Sequence, residues 1–374
     1  MKRLFKAILV LLTVGAVLFG VSCKNAPREV TPVSLGTPTE NERFGINRSV
    51  WDMTFYDGEL YIGNGDYDDN AGPITIWKYS PVSGEWTDTG KVPDECVSRF
   101  AVIDGRLITV GTDPTDDWTM GNYYVLEKGE WKTVRTIPGA VHNFDMAEQD
   151  GKIFAAIGVE PGKYPVSVSE DGGATFAEAA FYKDGNILDT SDYTSIRAYK
   201  IFDFKGDIYT ALIGRDTSTS YYDLYKYTGD AFEYQKSLYS EIGHMTVNTS
   251  VYASSVEYKD KYFIATGYMF ITEDMDNFDY VKYPDSDIVF DFIVKNGKLY
   301  SLTGYKTSEG RYRISVWENS SGKNTDFDML FYFYYDTPCV SFEYDNGKFY
   351  IGMGSISAAY PNNGEVLCVD YPIE

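Results

Sequence analysis

Seven times along this 374-residue chain a turn-forming pair leads into a short apolar strand that stops at a glycine. The pairs are Asp57-Gly58, Asp104-Gly105, Asp150-Gly151, Lys205-Gly206, Lys259-Asp260, Asn296-Gly297 and Asn346-Gly347, spaced by 47, 46, 55, 54, 37 and 50 residues. Such pairs favour type I′ hairpins, in which both central residues need positive φ. A first strand precedes each turn, at residues 51–56, 100–103, 144–147, 198–204, 252–258, 290–294 and 340–344. Second strands end near Gly65, Gly111, Gly158, Gly214, Gly267, Gly304 and Gly354, and third strands follow variable loops. Strands and turns recurring at this period predict an all-β fold, a seven-bladed β-propeller of four-stranded antiparallel blades over residues 42–374. The seventh repeat ends at Glu374 without an outer strand. Residues 42–47 are expected to supply that strand from the N-terminal side and close the ring, because an unpaired edge is a template for aggregation.

Met1, Lys2, Arg3 and Lys6 form a basic start, and residues 7–21 form an apolar run too short for a comfortable membrane span. The run closes Leu18-Phe19-Gly20-Val21-Ser22-Cys23. A small residue before a cysteine at this distance resembles the lipobox of bacterial lipoproteins, with Gly20 where that family usually carries leucine. The resemblance implies a signal peptide over residues 1–22 and a lipidated Cys23 at the mature N-terminus. An ordinary secretory signal with a chance cysteine is the alternative. Residues 23–41, proline-containing and poor in apolar side chains, read as a flexible tether. The implied location is the outer membrane, on its periplasmic or cell-surface side, with a lipid anchor as the membrane contact.

With 33 basic and 55 acidic residues the formal net charge is -22, which argues against nucleic acid or anionic lipid as partners. The 33 tyrosines suit half-buried strands and also offer flat amphipathic faces to sugars. Cys96, Cys339 and Cys368 have no metal-like spacing; Cys339 belongs on an innermost strand and Cys368 on a third strand, two strand spacings apart and too far for a disulfide. They read as buried thiols.

The order glycine, apolar-Tyr strand, glycine, Tyr-rich strand, Gly-x-Trp (as in Gly84-Glu85-Trp86 and Gly129-Glu130-Trp131) resembles degenerate kelch repeats, without their double glycine. The stretch Ser169-Glu170-Asp171-Gly172-Gly173-Ala174-Thr175-Phe176 resembles the Asp-box of sialidase-like propellers, with Phe for Trp, and residues 272–278 are a looser copy. An Asp-box is a structural hairpin, so this resemblance implies kinship of fold and not sialidase activity.

Catalytic signatures are sparse. There are two histidines, His142 and His244, and no G-x-S-x-G, H-E-x-x-H, phosphate loop or dinucleotide fingerprint. Carboxylates are abundant, but no spacing selects a glycosidase pair. The expected ligand face is the channel mouth where first strands begin, carrying Trp51, Arg99, His142 with Asn143, Arg197 and Tyr252. Cations among aromatics at one mouth suit a carboxylate-bearing ligand such as an acidic sugar. The alternative is that these side chains neutralise acidic loops or hydrogen-bond the channel strands. Trp118, in the loop of the second repeat, is a further ligand platform or else a cover for the blade edge. Residues 66–72 resemble the start of a calcium loop through Asp66, Asp68 and Asn70, but lack glycine at the sixth position and glutamate at the twelfth, which is Trp77. A solvated acidic loop and no cofactor is the expectation.

The resulting expectation is a monomeric, lipid-anchored cell-envelope propeller that binds a glycan, peptide or envelope protein without catalysis. A carbohydrate-active enzyme, either a glycoside hydrolase or a lyase working at the channel mouth, is the alternative.

Overall fold

A computed structural model of the protein describes residues 27–43, 45–66, 72–115, 117–217, 219–238, 254–283, 288–355 and 357–373. The chain is an all-β propeller of four-stranded antiparallel blades. The first blade, Asp52–Tyr56, Glu59–Gly63, Ile74–Ser80 and Glu85–Val92, shows the pattern: each strand pairs antiparallel with the next, from the channel outward. Between first and second strands both turn residues adopt positive φ, as at Asp57 (50°) with Gly58 (78°) and at Asn346 (46°) with Gly347 (83°). These tight hairpins and the turns from third to fourth strands share one face of the ring, called here the turn face. Loops from second to third strands share the other, the loop face.

Among the described residues the strands form six sheets, of which four have four strands, one has five and one has twelve. Five of them are therefore single blades, where the repeat predicts seven separate ones. The third and fourth repeats lie in the twelve-stranded sheet, because Lys152–Val159 pairs with Ser195–Phe204 at Gly158↔Arg197 and Val159↔Ile196. A side chain at position 158 would bring its Cβ within 2.7 Å of the His142 ring, so glycine is what lets the strand 152–159 lie against the His142 and Phe144 rings of its own repeat.

The N-terminal segment departs from the expected tether. Arg28–Glu29 runs parallel to Asp328–Tyr335, the outer strand of the sixth repeat. Val33–Ser34 pairs antiparallel with Val366–Asp370 and so provides the outer strand of the seventh repeat. Residues 42–47 do not fill that place, since Ile46–Arg48 is a 3-10 turn. Few apolar side chains are needed for this, because the edge of a sheet is satisfied by backbone groups alone.

Apolar clusters lie between neighbouring repeats rather than in one core, as a repeat architecture requires. Phe204, Leu224, Tyr262 and Phe270 pack the fourth repeat on the fifth. Tyr300, Phe331, Phe342 and Phe349 join the sixth to the seventh, and Met53, Leu60, Tyr350 and Val366 join the seventh to the first. Full burial of each such side chain stabilises by roughly 1.5–3 kcal/mol. Cys96, Cys339 and Cys368 are buried, the latter two on the first and third strands of the last repeat as expected.

Candidate functional site

The channel is built from seven side chains, each five residues before a hairpin turn: Asp52, Arg99, Asp145, Lys200, Ser254, Asp291 and Ser341. In four repeats the first strand carries a register shift at this place, between Asn143/Asp145, Ala198/Ile201, Val289/Asp291 and Cys339/Ser341. A bulge re-aims the residue that follows it, and it falls where the repeats converge.

These groups reach from one repeat to another. Phe100 N–H donates to Asp52 Oδ2 (2.6 Å), Ile201 N–H to Asp145 Oδ2 (3.1 Å), Phe292 N–H to Ser254 Oγ (3.2 Å) and Phe342 N–H to Asp291 Oδ2 (3.0 Å). Ser341 Oγ donates to the Val50 carbonyl (2.5 Å), and Arg99 Nε lies 3.4 Å from Asp145 Oδ1. The first, third, fifth, sixth and seventh repeats thus each place a polar atom on the backbone of a neighbour.

Burial dominates the electrostatics. It pushes the Lys200 ammonium, 1% exposed, down to about 8; Arg99 adds to the effect while Asp145, Asp52 and Asp291 oppose it. Burial also raises the Asp291 carboxyl to about 7 and raises Asp52, against the pull of Arg99 and the Phe100 N–H. At Arg99 burial works in the lowering direction, but Asp145, Asp52 and Asp291 outweigh it and hold the guanidinium above its ordinary value. Beside this network a cavity of about 300 Å³ is lined by Asp52, Thr54, Arg99, Ser255, Asp291 and Glu343. Lys295 pairs with Glu343 there at 3.1 Å. The backbone N–H donors fix the orientation of the Asp52, Asp145 and Asp291 carboxyl groups.

The expected mouth residues do not form one open constellation. Trp51 is buried with its indole N–H on the Gly65 carbonyl (2.6 Å), and Asn143 is wholly buried with its amide on the Asn122 carbonyl (3.3 Å). His142 is buried, stacks on Phe144 (5.1 Å) and sets Nδ1 3.1 Å from Asp113 Oδ1. Arg197 lies over the same Phe144 ring at 6.0 Å and donates to Tyr199 Oη (3.1 Å). His142, Phe144, Arg197 and Tyr199 do therefore gather, whereas Arg99 takes the channel-strand role through Asp145. Tyr252, Asp68, Asn70 and Cys23 lie outside the described residues. Asp66 is buried, and its N–H donates to the Glu95 carbonyl (2.9 Å). Among the described residues no group of three or more His, Cys, Asp and Glu side chains is placed to hold a metal ion.

Trp118 is 60% exposed, so it does not cover the blade edge. Its position is nonetheless fixed. The indole N–H donates to the Pro114 carbonyl (3.3 Å), Arg135 donates to the Asp117 carbonyl (2.9 Å), and Asp117 accepts the Thr119 N–H (3.0 Å). The loop thus holds one aromatic face open to solvent.

The ring is the part that the sequence reading missed apart from Arg99. Its signal was present as a polar residue at one offset from the turn in all seven repeats.

No family model matches this chain, and no curated protein sequence matches it. Among solved structures it is similar to a chain in the crystal structure of the mitotic checkpoint complex, at 9% identity and a TM-score of 0.55, over 93% of this chain and 97% of that one. It also aligns with Saccharomyces cerevisiae Sqt1 at 10% identity and a TM-score of 0.46, over 93% of this chain and 100% of that one. The first of these likenesses is one of fold alone.

Proposed function

We propose that this chain is an exported, lipid-anchored propeller of the cell envelope that binds a glycan, peptide or envelope protein on its loop face without transforming it. The observation that carries the binding reading is Trp118, exposed yet pinned by Pro114 and by the Arg135–Asp117 contact. Engagement of Asp52, Asp145 and Asp291 with neighbouring backbone supports a structural role for the channel carboxylates over a catalytic one. A fold shared with a chain of a multiprotein checkpoint assembly is consistent with a protein partner.

The same reading takes the ring as seven blades closed by an N-terminal strand. Two joined residue pairs are a narrow link between the third and fourth repeats, each of which otherwise has its own four-strand meander. Closure is supported by Val33–Ser34 on the last repeat, by Ser341 on Val50, and by the Ser355 N–H on Ser49 Oγ (3.0 Å). Kinship with Asp-box propellers is supported by Asp171, which accepts the Thr175 N–H (2.8 Å) and hydroxyl (2.6 Å), and by Asp274, which accepts the Asn277 N–H (2.8 Å) in the looser copy.

A panel of polysaccharides, host glycans and envelope proteins tests the proposal. Trp118→Ala is expected to weaken the ligand by about 2 kcal/mol, roughly 30-fold in Kd, with the unfolding midpoint unchanged. Turnover of a polysaccharide that vanishes on replacing one loop-face carboxylate would establish the glycoside hydrolase or lyase reading instead. Cys23→Ala is expected to release the folded protein from membranes, measured by fractionation and thermal unfolding.

A further inference from the structure

Residues 28–35 form a strap across the outer rim. Arg28 lies opposite Phe331 and Glu29 opposite Tyr332, Val30 N–H donates to the Tyr332 carbonyl (3.0 Å), and Val33 lies opposite Cys368. The strap then reaches the first blade, where the Trp86 indole N–H donates to the Leu35 carbonyl (2.8 Å).

The direction of its first strand carries information about the whole molecule. The outer strand Asp328–Tyr335 begins at the turn face and runs toward the loop face, as the fourth strand of a meander must. Arg28–Glu29 is parallel to it, so the chain preceding Arg28 heads for the turn face. Arg28 stands three residues from the turn-face end of that strand and four from its loop-face end, which are about 10 Å and 13 Å at the rise of a strand. Cys23 is five residues before Arg28, a reach of at most about 17 Å. At full extension in that direction Cys23 would reach about 7 Å beyond the turn-face edge. To reach the loop face it would have to reverse, and the residues left after a reversal span about 10 Å, short of the edge.

We propose that the mature protein sits on the membrane with its turn face toward the lipid at the sixth repeat, so that the loop face carrying Trp118 points away from the bilayer. The proposal rests on the reading of Cys23 as the lipidated residue and deepens it. The linker between lipid and domain is four residues, not the eighteen that the composition suggests, so the propeller has a fixed polarity rather than free rotation on a long leash. A ligand reaching the loop face is therefore presented from the side opposite the anchor, as a soluble glycan or a partner standing off the membrane would be.

Two labelling positions on the same repeat test this. Ser321 lies in the exposed turn-face connection of the sixth repeat, and Glu309 lies in its exposed loop-face connection. Ser321→Cys and Glu309→Cys, made in the full-length chain, are purified as the membrane form and labelled with a fluorophore; the native Cys96, Cys339 and Cys368 are buried from the reagent. Each is reconstituted into phosphatidylcholine vesicles containing headgroup-nitroxide lipid, and the N-terminal peptide of the same sample is weighed by mass spectrometry. Expected is a lipid-modified Cys23 with the label at 321 quenched at least threefold more than the label at 309. Equal quenching, or stronger quenching at 309, with Cys23 lipidated overturns the polarity and leaves the anchor standing. An unmodified Cys23 overturns both.

Discussion

Replacing Asp145 by alanine is expected to destabilise the protein by about 3–5 kcal/mol, because it removes the carboxylate that compensates the buried Lys200 ammonium and the half-buried Arg99 guanidinium. Asp145 is 4% exposed, lies 3.4 Å from Arg99 and accepts the Ile201 N–H at 3.1 Å. Its loss leaves Arg99 and Lys200 repelling each other and leaves the Ile201 N–H without this acceptor. An unpaired buried N–H alone costs about 1–3 kcal/mol. Asp145→Asn keeps an acceptor and loses the charge, so its cost is expected to be smaller. In the double variant Arg99→Met, Asp145→Leu the Arg99 charge disappears with its partner, so part of the stability should return, while Lys200 still lacks the Asp145 carboxylate and the Ile201 N–H its acceptor. Urea unfolding of the three variants decides the matter. A single-alanine loss under about 1 kcal/mol would mean that the repeats are held by their apolar interfaces and that the polar ring is incidental.

Legibility of the fold followed the range of the interactions involved. The hairpin pairs were readable because positive φ at both turn positions, as at Asp104 and Gly105, restricts the residues allowed there, and that restriction is local. Cys339 and Cys368 were placed on the correct strands of the last repeat for the same reason, since a strand register follows from its turn. The strap was not readable. Arg28–Glu29 and Val33–Ser34 are two-residue strands whose pairing is made by backbone groups, and backbone groups leave no pattern in a sequence. The joined sheet was hidden likewise, because it depends on how far the strands around Gly158 and Arg197 extend. At the channel, Arg99 was singled out for a ligand, yet its partner Asp145 was invisible as such. Burial and the bulge at Asn143/Asp145 decide that pairing, and neither is a property of local sequence. Trp51 shows the converse error: an aromatic at a strand start looks like a platform until its indole is found on the Gly65 carbonyl.

The ring also predicts a pH dependence whose sign differs from that of an ordinary salt-bridged protein. Asp291 titrates near 7 in the folded chain, raised by burial from an ordinary value of 3.8. Between those values the folded state holds a proton that the unfolded state has released, so this group's contribution to stability falls as pH rises from about 4 to 7. Lys200 titrates near 8, lowered by burial from 10.5. Between those values the unfolded state holds a proton that the folded state has released, so its contribution rises with pH from about 8 to 10.5. Each limb amounts to roughly 3–5 kcal/mol when a shift is converted at 1.36 kcal/mol per unit. The two together place a minimum of stability between about 7 and 8, where both groups are charged, with Lys200 buried and Asp291 half-buried. Asp291→Asn should remove the falling limb and Lys200→Met the rising one, while each leaves the other limb in place. The measurement is the urea unfolding free energy of wild type and both variants at pH 4.5, 7.5 and 10, conditions chosen to bracket about one titration each. Curves that run parallel across all three conditions would show that the channel groups stay hydrated and titrate as they do in the unfolded chain. A minimum that survives both substitutions would place its origin in carboxylates outside the ring.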